Sequence, residues 1–402
     1  MKSRCCIAGG GPAGIMLGLL LARAGVPVTV LEKHADFLRD FRGDTVHPST
    51  LAILDEIGLR DRFDKLPQHR VHTLSAIVGG HTQRAIDFRG LRPYDYIALV
   101  PQWDFLNMLA DEGRKLSTFD LRMRHQAAGL IKENGRIAGV RATSPDGPYE
   151  LRADLVVACD GRRSTLRAAA GLKADEYGAP MDVLWFRMPR SESDPQDTFG
   201  IVDRGRMMVM LNRGDYWQVA FVVPKGSDAG LRAQSVDALR ETVVQLAPYL
   251  ADRKTTIESW DKVSTLSVQV GRLKRWHEPG LLLIGDAAHA MSPIGGVGIN
   301  LAIQDAVAAA NALARPLLSG RPIDEALLAS IQQRREWPVK VIQRVQLAIQ
   351  KRLISNVLKV SAEPLRVPAL LRFLLGFRTV RRQPARLFGY GLRRERVRTP
   401  RA

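Results

Sequence analysis

The apolar and polar positions divide the chain into two kinds of segment. The first kind is short, wholly apolar and bounded by glycine. Cys5 to Ala8 has no polar position, as a strand buried on both faces requires. Pro12 to Ala24 is an apolar stretch of helical length, with Pro12 in its first turn and Gly25 closing it. Val28 to Leu31 repeats the strand pattern and ends on Glu32. The pattern returns at Leu155 to Ala158, which runs into Cys159-Asp160-Gly161, and at Gly280 to Ile284, which ends on Gly285-Asp286. A long apolar helix is predicted from Gly298 to Ala314.

The second kind alternates. Residues 71–78 and 83–88 flank Gly79-Gly80 and predict an antiparallel hairpin. Residues 119–142 alternate about a turn at Asn134-Gly135. Val183 to Met188, Met207 to Leu211 and Trp217 to Val223 read as strands around one helical stretch, Val236 to Leu246. Other local signals predict a helix carrying Leu51, Ile53, Leu54 and Ile57, capped by Ser49 or Thr50. They also predict a strand at Tyr96 to Val100, a helix from Pro101-Gln102 and a short helix opened by Ser164 or Thr165. Parallel-type strands with helices, interrupted by an alternating sheet with one helix, are two different layer types.

The punctuating residues carry the chemistry. Gly9, Gly11 and Gly14 fall at the G-x-G-x-x-G spacing, with Pro12 and Ala13 inside it. The first glycine makes a tight turn, the second lets backbone approach a pyrophosphate, and the third lets the helix lie close on the strand. The helix start offers free N–H groups to a phosphate. Glu32, followed by Lys33, stands where a carboxylate accepts hydrogen bonds from ribose hydroxyls. A glycine turn that merely packs explains the glycines but not the acid. Two further strand ends carry Asp160-Gly161 and Gly285-Asp286. Ligands bind beyond the carboxyl ends of parallel strands, so the three ends are expected to converge on one extended ligand.

Composition narrows the class. With 402 residues, 46% hydrophobic and 25% charged, the chain has room for two globular domains and a tail. Cys5, Cys6 and Cys159 are odd in number, lie in apolar runs and have no metal spacing. With no secretory signal before Arg4, they read as reduced core residues of a cytoplasmic protein. The eight histidines lack metal spacing, and no Ser/His/Asp set stands out, so neither a metal site nor a catalytic side chain is assigned. Fifteen of the eighteen net positive charges lie in residues 331–402, which hold 18 Lys and Arg against 3 Asp and Glu. The body is nearly neutral and the end is basic.

The trio of strand ends resembles the flavoprotein aromatic hydroxylases, the family of p-hydroxybenzoate hydroxylase, over nearly the whole chain. The resemblance implies an α/β fold: a Rossmann-like FAD-binding domain, an inserted antiparallel-sheet substrate domain and a helical C-terminal segment. It places the FAD-binding domain at 1–70, 96–175 and 271–330, and the substrate domain at 71–95 and 176–270. The basic helical segment is 331–402. It implies that Gly9, Gly11, Gly14 and Glu32 hold the pyrophosphate and adenosine ribose of a non-covalent FAD. Arg42 and Gln102 match positions beside the flavin nucleotide. Asp160-Gly161 matches a motif serving FAD and pyridine nucleotide, and Asp286 one that contacts the ribityl chain. Pro293, Gly296, Gly298 and Asn300, with Ile299 between the last two, match a P-x-x-G-x-G-x-N loop whose amides face the flavin ring. A helix start preceded by glycines suits the negative charge of a reduced flavin. The implied reaction is reduction of FAD by NADPH or NADH, capture of dioxygen as a flavin hydroperoxide, and hydroxylation or epoxidation of an electron-rich small molecule. The rival reading is an FAD-dependent reductase that activates no oxygen.

The expected substrate strands offer Met207, Met208, Met210, Asn212, Trp217 and Val219, with Trp185 and Arg187 nearby. Trp185, Met210, Asn212 and Trp217 are the candidate substrate contacts, and their apolar character suits a ring larger or greasier than a benzoate. The alternative is that such a stripe is core. In the tail, Val341, Val345, Leu347 and Ala348 alternate with Lys340, Arg344, Lys351 and Arg352. Leu370, Leu371, Phe373, Leu374, Leu375 and Phe377 are bracketed by Arg366, Arg372, Arg378, Arg381 and Arg382. Two readings stand side by side: the apolar face packs on the FAD-binding domain, or it makes a peripheral contact with anionic lipid. No nucleic-acid reader motif accompanies the charge, so nucleic acid is not an expected partner. Nothing in the pattern sets an oligomeric state.

Overall fold

A glycine with no room for a side chain sets how the first helix meets the first strand. In the computed structural model, which describes residues 3–38, 45–203, 205–354, 357 and 369–401, β1 (Cys5–Ala8) leads through the glycine loop into α1 (Pro12–Arg23). A Cβ on Gly14 would lie 1.9 Å from the Gly9 carbonyl oxygen, and one on Gly18 2.8 Å from Val30 Cγ2. The missing methyl groups let α1 sink against β1 and β2 (Val28–Glu32), with Ile7, Val30 and Phe119 sharing its core.

Six strands form the main sheet in the order His277–Glu278, Leu281–Leu283, Leu155–Ala158, β1, β2, Phe119–Met123. The first pair is antiparallel and all others are parallel. The helix Gly298–Ser319 packs on α1, and its long apolar run belongs to this core. The alternating stretch 119–142 is not one unit. Arg124 sits at φ 61°, breaks the run, and leaves Phe119–Met123 as the sheet edge. The hairpin about Asn134-Gly135 pairs Gln126–Glu133 with Arg136–Ser144, and Gly147–Arg152 adds a third strand.

A second sheet has seven strands: Ser264–Leu266, Met181–Pro189, Tyr216–Pro224, Arg206–Asn212, Phe199–Asp203, Thr73–Val78 and His81–Asp87. Among the described residues of this sheet, only Phe199–Asp203 and Thr73–Val78 pair in parallel. One face packs on the helix Val236–Leu246. The other meets the parallel-sheet layer through Ile294 and Leu347.

Two local expectations change. The helix after residue 45 is Pro48–Glu56, with His47 at its N-cap, so Ser49 and Thr50 lie inside its first turn. Proline at the first helical position starts the helix before either hydroxyl residue can cap it. Ser164, by contrast, does cap Thr165–Ala169, accepting from the Arg167 amide at 2.9 Å.

Among its described residues, the basic end packs through two helices. The helix Glu325–Ile349 runs through residue 330, so a boundary at 331 falls inside it. Its buried stripe includes Arg335, Val339, Ile342, Gln343 and Gln346, whereas Val341, Val345 and Leu347 are half-buried and Ala348 is exposed. The buried face is therefore rich in glutamine and is not the one read from the valines. The helix Arg378–Gly389 buries Ala385 and Phe388, and Arg378 and Arg382 donate to the Arg89 carbonyl. Phe373, Leu374, Phe377 and Val380 remain exposed. Arg366 lies outside the described residues, as do the side chains of Leu370, Leu371 and Arg372.

Gly14→Ala should destabilise the protein by about 1–3 kcal/mol or more, because the obstructing atom is backbone and cannot swing away. Gly11→Ala, with nothing within 4 Å of its Cβ, should stay near wild type. Urea unfolding of the pair checks this, and equal midpoints would contradict it.

Candidate active site

The glycine loop presses one strand end onto another. Gly9, at φ 104°, has no room for a Cβ, which would stand 2.4 Å from the Cys159 carbonyl oxygen. Gly11 faces open space, and its φ of −73° is one any residue adopts. The first intrahelical bond runs from the Ile15 amide to the Gly11 carbonyl, so the Ala13 and Gly14 amides before it have no intrahelical acceptor. Glu32 is buried at the lip of the loop. Its carboxylate accepts from the Gly10 amide at 2.9 Å and the His34 amide at 3.0 Å, while Lys33 is exposed.

The other two strand ends arrive beside it. Asp160 Oδ2 accepts from the Leu166 amide at 3.1 Å, and Asp160 Oδ1 is buried without a partner. Gly161, at φ 84°, has open space at its Cβ position. A Cβ on Gly285 would meet those of Ala13 and Ala302 at 3.3 Å, so this glycine lets a strand end, α1 and the long helix close together. Asp286 is half-exposed and lies 3.4 Å from the Arg162 guanidinium. Cys5, Cys6 and Cys159 are free thiols behind these ends, and burial pushes Cys6 up to about 12, so it stays protonated.

The loop from Pro293 to Gly298 is tied from below. Thr45 Oγ1 donates to the Gly296 carbonyl at 3.0 Å, and a Cβ on Gly296 would collide with that hydroxyl. Asn300 Oδ1 accepts from the His47 amide at 2.8 Å and Thr50 Oγ1 at 2.7 Å. Its Nδ2 donates to the carbonyls of Thr45 at 3.1 Å and Gly296 at 3.2 Å. These four bonds use the whole amide. The Asn300 side chain thus organises the loop. The amides of Gly298, Ile299 and Asn300, in the first turn of Gly298–Ser319, have no intrahelical acceptor. His47 is fully buried, which pushes its pKa down to about 4. The neutral ring donates from Nδ1 to the Phe388 carbonyl at 2.7 Å. Gln102 is the first, half-buried residue of Gln102–Arg114, and Arg42 lies outside the described residues.

A buried charge cluster, missed in the sequence, fixes the Gly285 turn. Asp305 Oδ2 accepts from the Gly285 amide at 3.1 Å and contacts His289 Nε2 at 2.6 Å. Asp305 Oδ1 accepts from Arg335 Nε at 2.9 Å. Glu395 holds Arg335 at 3.3 Å and Arg334 at 2.8 Å. Burial would raise the Asp305 carboxyl, but His289 and Arg335 outweigh it and hold it below the usual carboxylate range. The one signal available was an acid inside an otherwise apolar helical run.

The candidate substrate residues divide between the two faces of the seven-stranded sheet. Met210 and Trp217 are fully buried with Phe199 against Leu239 and Val243, on the face turned away from the loop. Trp217 Nε1 donates to Asp194 Oδ2 at 2.8 Å, and Asn212 bonds the Gln196 carbonyl and the Gly214 amide. In the structure these three are core and turn residues. Trp185 lies on the opposite face with Met207, Val209, Ala220 and Val222, beside Ile294 of the glycine loop. The register aligns Trp185, Ala220, Val209 and Gly200 in one row across the strands.

Gly11→Val should fold like wild type yet bind FAD at least about tenfold more weakly, since a pyrophosphate would meet the added methyls. Flavin absorbance of the purified protein and titration of apo-protein check this. Full occupancy would contradict the placement.

Comparisons with known proteins give the family. The family described as "FAD binding domain" matches residues 2–345. The chain is 33% identical over 360 residues to a 6-methylpretetramide 4-monooxygenase of Streptomyces rimosus, covering 89% of this chain and 85% of that protein. It is 29% identical over 323 residues to an uncharacterised aromatic compound monooxygenase of Bacillus subtilis (strain 168), covering 76% of this chain but only 60% of that longer protein. The crystal structure of p-nitrophenol 4-monooxygenase from Pseudomonas putida DLL-E4 shares the fold, with a TM-score of 0.78, 23% identity and 96% of each chain covered. Together with the three converging strand ends, the match over residues 2–345 makes this chain a member of the FAD binding domain family.

Proposed function

We propose that this protein is an FAD-dependent monooxygenase that uses NADPH or NADH and dioxygen to oxidise a planar, fused-ring aromatic small molecule. The observation that carries the reading is the convergence of three strand ends and one helix start, with open space at Gly11, Gly161 and Gly298. In this reading Gly9, Gly11, Ala13, Gly14 and Glu32 hold the pyrophosphate and adenosine ribose. Asp286 takes the ribityl chain, and the amides of Gly298, Ile299 and Asn300 face the flavin ring. The unpartnered Asp160 Oδ1 supports a polar ligand there. When bound, FAD supplies electron transfer from the nicotinamide and activation of dioxygen. The chain's own task is to orient and to exclude water. The helix-start amides favour negative charge at the ring, and the wall of Trp185, Met207, Val209 and Ala220 offers an apolar surface for a flat substrate. The fused-ring class rests on that wall and on the name of the Streptomyces relative.

We assign 1–70, 96–175 and 271–330 to the FAD-binding domain, and 71–95 with 176–270 to the substrate domain. The seven-stranded sheet, which joins residues 73–87 to 181–266, supports the second grouping. The free cysteines, Cys5 and Cys6 buried and Cys159 half-buried, support a reducing cytoplasmic compartment. The experiment that tests the reaction is anaerobic reduction by NADPH or NADH, with and without polyhydroxylated fused-ring phenols, followed by labelled dioxygen. The expected result is faster reduction with substrate and one labelled oxygen in the product. Reduction without incorporation would replace the reading with the reductase alternative.

A peripheral membrane contact is a separate proposal, resting on the exposed Phe373, Leu374, Phe377 and Val380 beside Arg378 and Arg381. Co-sedimentation with phosphatidylserine vesicles at low salt is expected, and is expected to fall in a Phe373→Ser, Phe377→Ser double variant. Absence of binding to those vesicles would remove the proposal.

A further inference from the structure

The helix Glu325–Ile349 carries an unusual buried face. Gln343 and Gln346 lie on it, and Gln350 continues it into a π-helical turn, Gln350–Ile354; all three side chains are buried. A buried glutamine is costly unless its amide finds partners; the Gln346 Nε2 makes two hydrogen bonds, while its Oε1 is buried with none. Here the amides of Gln343 and Gln346 reach across to backbone carbonyls, first in the paired strands at Gly271 and Ala290 and then just beyond them at Ser292 and Ile294. Gln343 Nε2 donates to the carbonyls of Gly271 at 2.9 Å and Ala290 at 3.1 Å, and its Oε1 accepts from Arg272 at 2.6 Å. Gln346 Nε2 donates to the carbonyls of Ser292 at 3.0 Å and Ile294 at 2.7 Å. Gln350 Nε2 donates to Ser292 Oγ at 2.8 Å.

The bonds follow the chain. As the helix advances one turn, the captured carbonyls advance from Ala290 to Ser292 and Ile294. The helix thus acts as a side-chain strand for the segment that enters the Pro293–Gly298 turn. Gln346 is the rung whose two acceptors flank Pro293. Within that turn Gly295 and Gly296 both have positive φ, and Val297 then leads to Gly298, Ile299 and Asn300, whose first-turn amides have no intrahelical acceptor. The turn is pinned on its other side by Thr45 and Asn300. With both sides held, the direction of the helix-start amides is set before any ligand arrives.

We infer that Gln346 is a positioning residue for the flavin: its amide fixes the Ser292–Ile294 backbone so that the amides of Gly298, Ile299 and Asn300 meet the pyrimidine edge of the ring. The inference rests on the FAD reading given above. Gln343 supplies an internal control, because its acceptors, Gly271 and Ala290, are paired in strands before the turn.

The test uses the full chain stripped of flavin. Apo-protein of wild type, Gln346→Leu and Gln343→Leu is titrated with FAD, the midpoint potential of the bound flavin is measured, and apo-protein melting is recorded. Loss of two neutral hydrogen bonds at the turn predicts about tenfold weaker FAD binding in Gln346→Leu. The potential should move to more negative values, because misdirected amides stabilise the anionic reduced ring less. Gln343→Leu should lower the melting temperature while leaving affinity within about twofold and the potential unchanged. Gln346→Met, of nearly the same length and without the amide, serves where the leucine variant does not fold. Wild-type affinity and potential in the folded Gln346 variants overturn the inference. An equal shift of potential in Gln343→Leu also overturns it, since the effect would then be general loosening. Failure of wild-type apo-protein to bind FAD overturns the cofactor reading itself.

Discussion

A carboxylate sealed inside the protein, Asp305, joins parts of the chain that no sheet connects. It binds the Gly285 amide at a strand end, His289 just beyond it, and Arg335 on the helix Glu325–Ile349. Glu395, near the end of the chain, completes the cluster through Arg335. Each member is sealed from water and depends on the others, because removing one partner of a buried pair leaves a charge that costs about 3–5 kcal/mol. The depressed Asp305 pKa has a definite sign in stability. Its contribution is full above the unfolded value of about 3.9 and is lost as pH falls through the lower folded value. The basic end of the chain is therefore part of the fold that holds the site, through Arg335, Glu395 and the Phe388 carbonyl on His47.

The site itself is built mostly from backbone. Gly9, Gly14 and Gly285 bring strand ends and helix starts within distances that a methyl group would forbid. Side chains such as Asn300, Thr45 and Gln346 spend their hydrogen bonds on holding that backbone. This division suits chemistry in which a cofactor performs the difficult step and the protein supplies orientation.

What could be read from the sequence was what is local. Gly9, Gly11, Gly14 and Glu32 stand within one strand–helix–strand unit, and the wholly apolar strands announce parallel pairing over a few residues each. The substrate face was not legible, because Met207 to Asn212 is apolar on both sides and its alternation has no phase. A register read one residue off exchanges Met210 for Val209 and moves the whole set to the other face. Gln343, Gln346 and Gln350 carry no local signal, because their acceptors, from Gly271 to Ile294, lie more than fifty residues away. Ser49 and Thr50 were placed at a cap by composition, whereas Thr50 serves Asn300 across 250 residues of chain.

The order of strands in the parallel sheet has a consequence for how the chain is made. β1 pairs with β2, which follows it at once, but its other neighbour is Leu155–Ala158, whose own partner is Leu281–Leu283. At roughly 5–20 residues per second, the first strand waits about 7 to 30 seconds on the ribosome for its second partner. The strand after that arrives later still. During that interval an apolar strand edge stands open, and closing it must bridge loops of high contact order, which slows folding. The glycine loop is thus synthesised well before the strands that complete it.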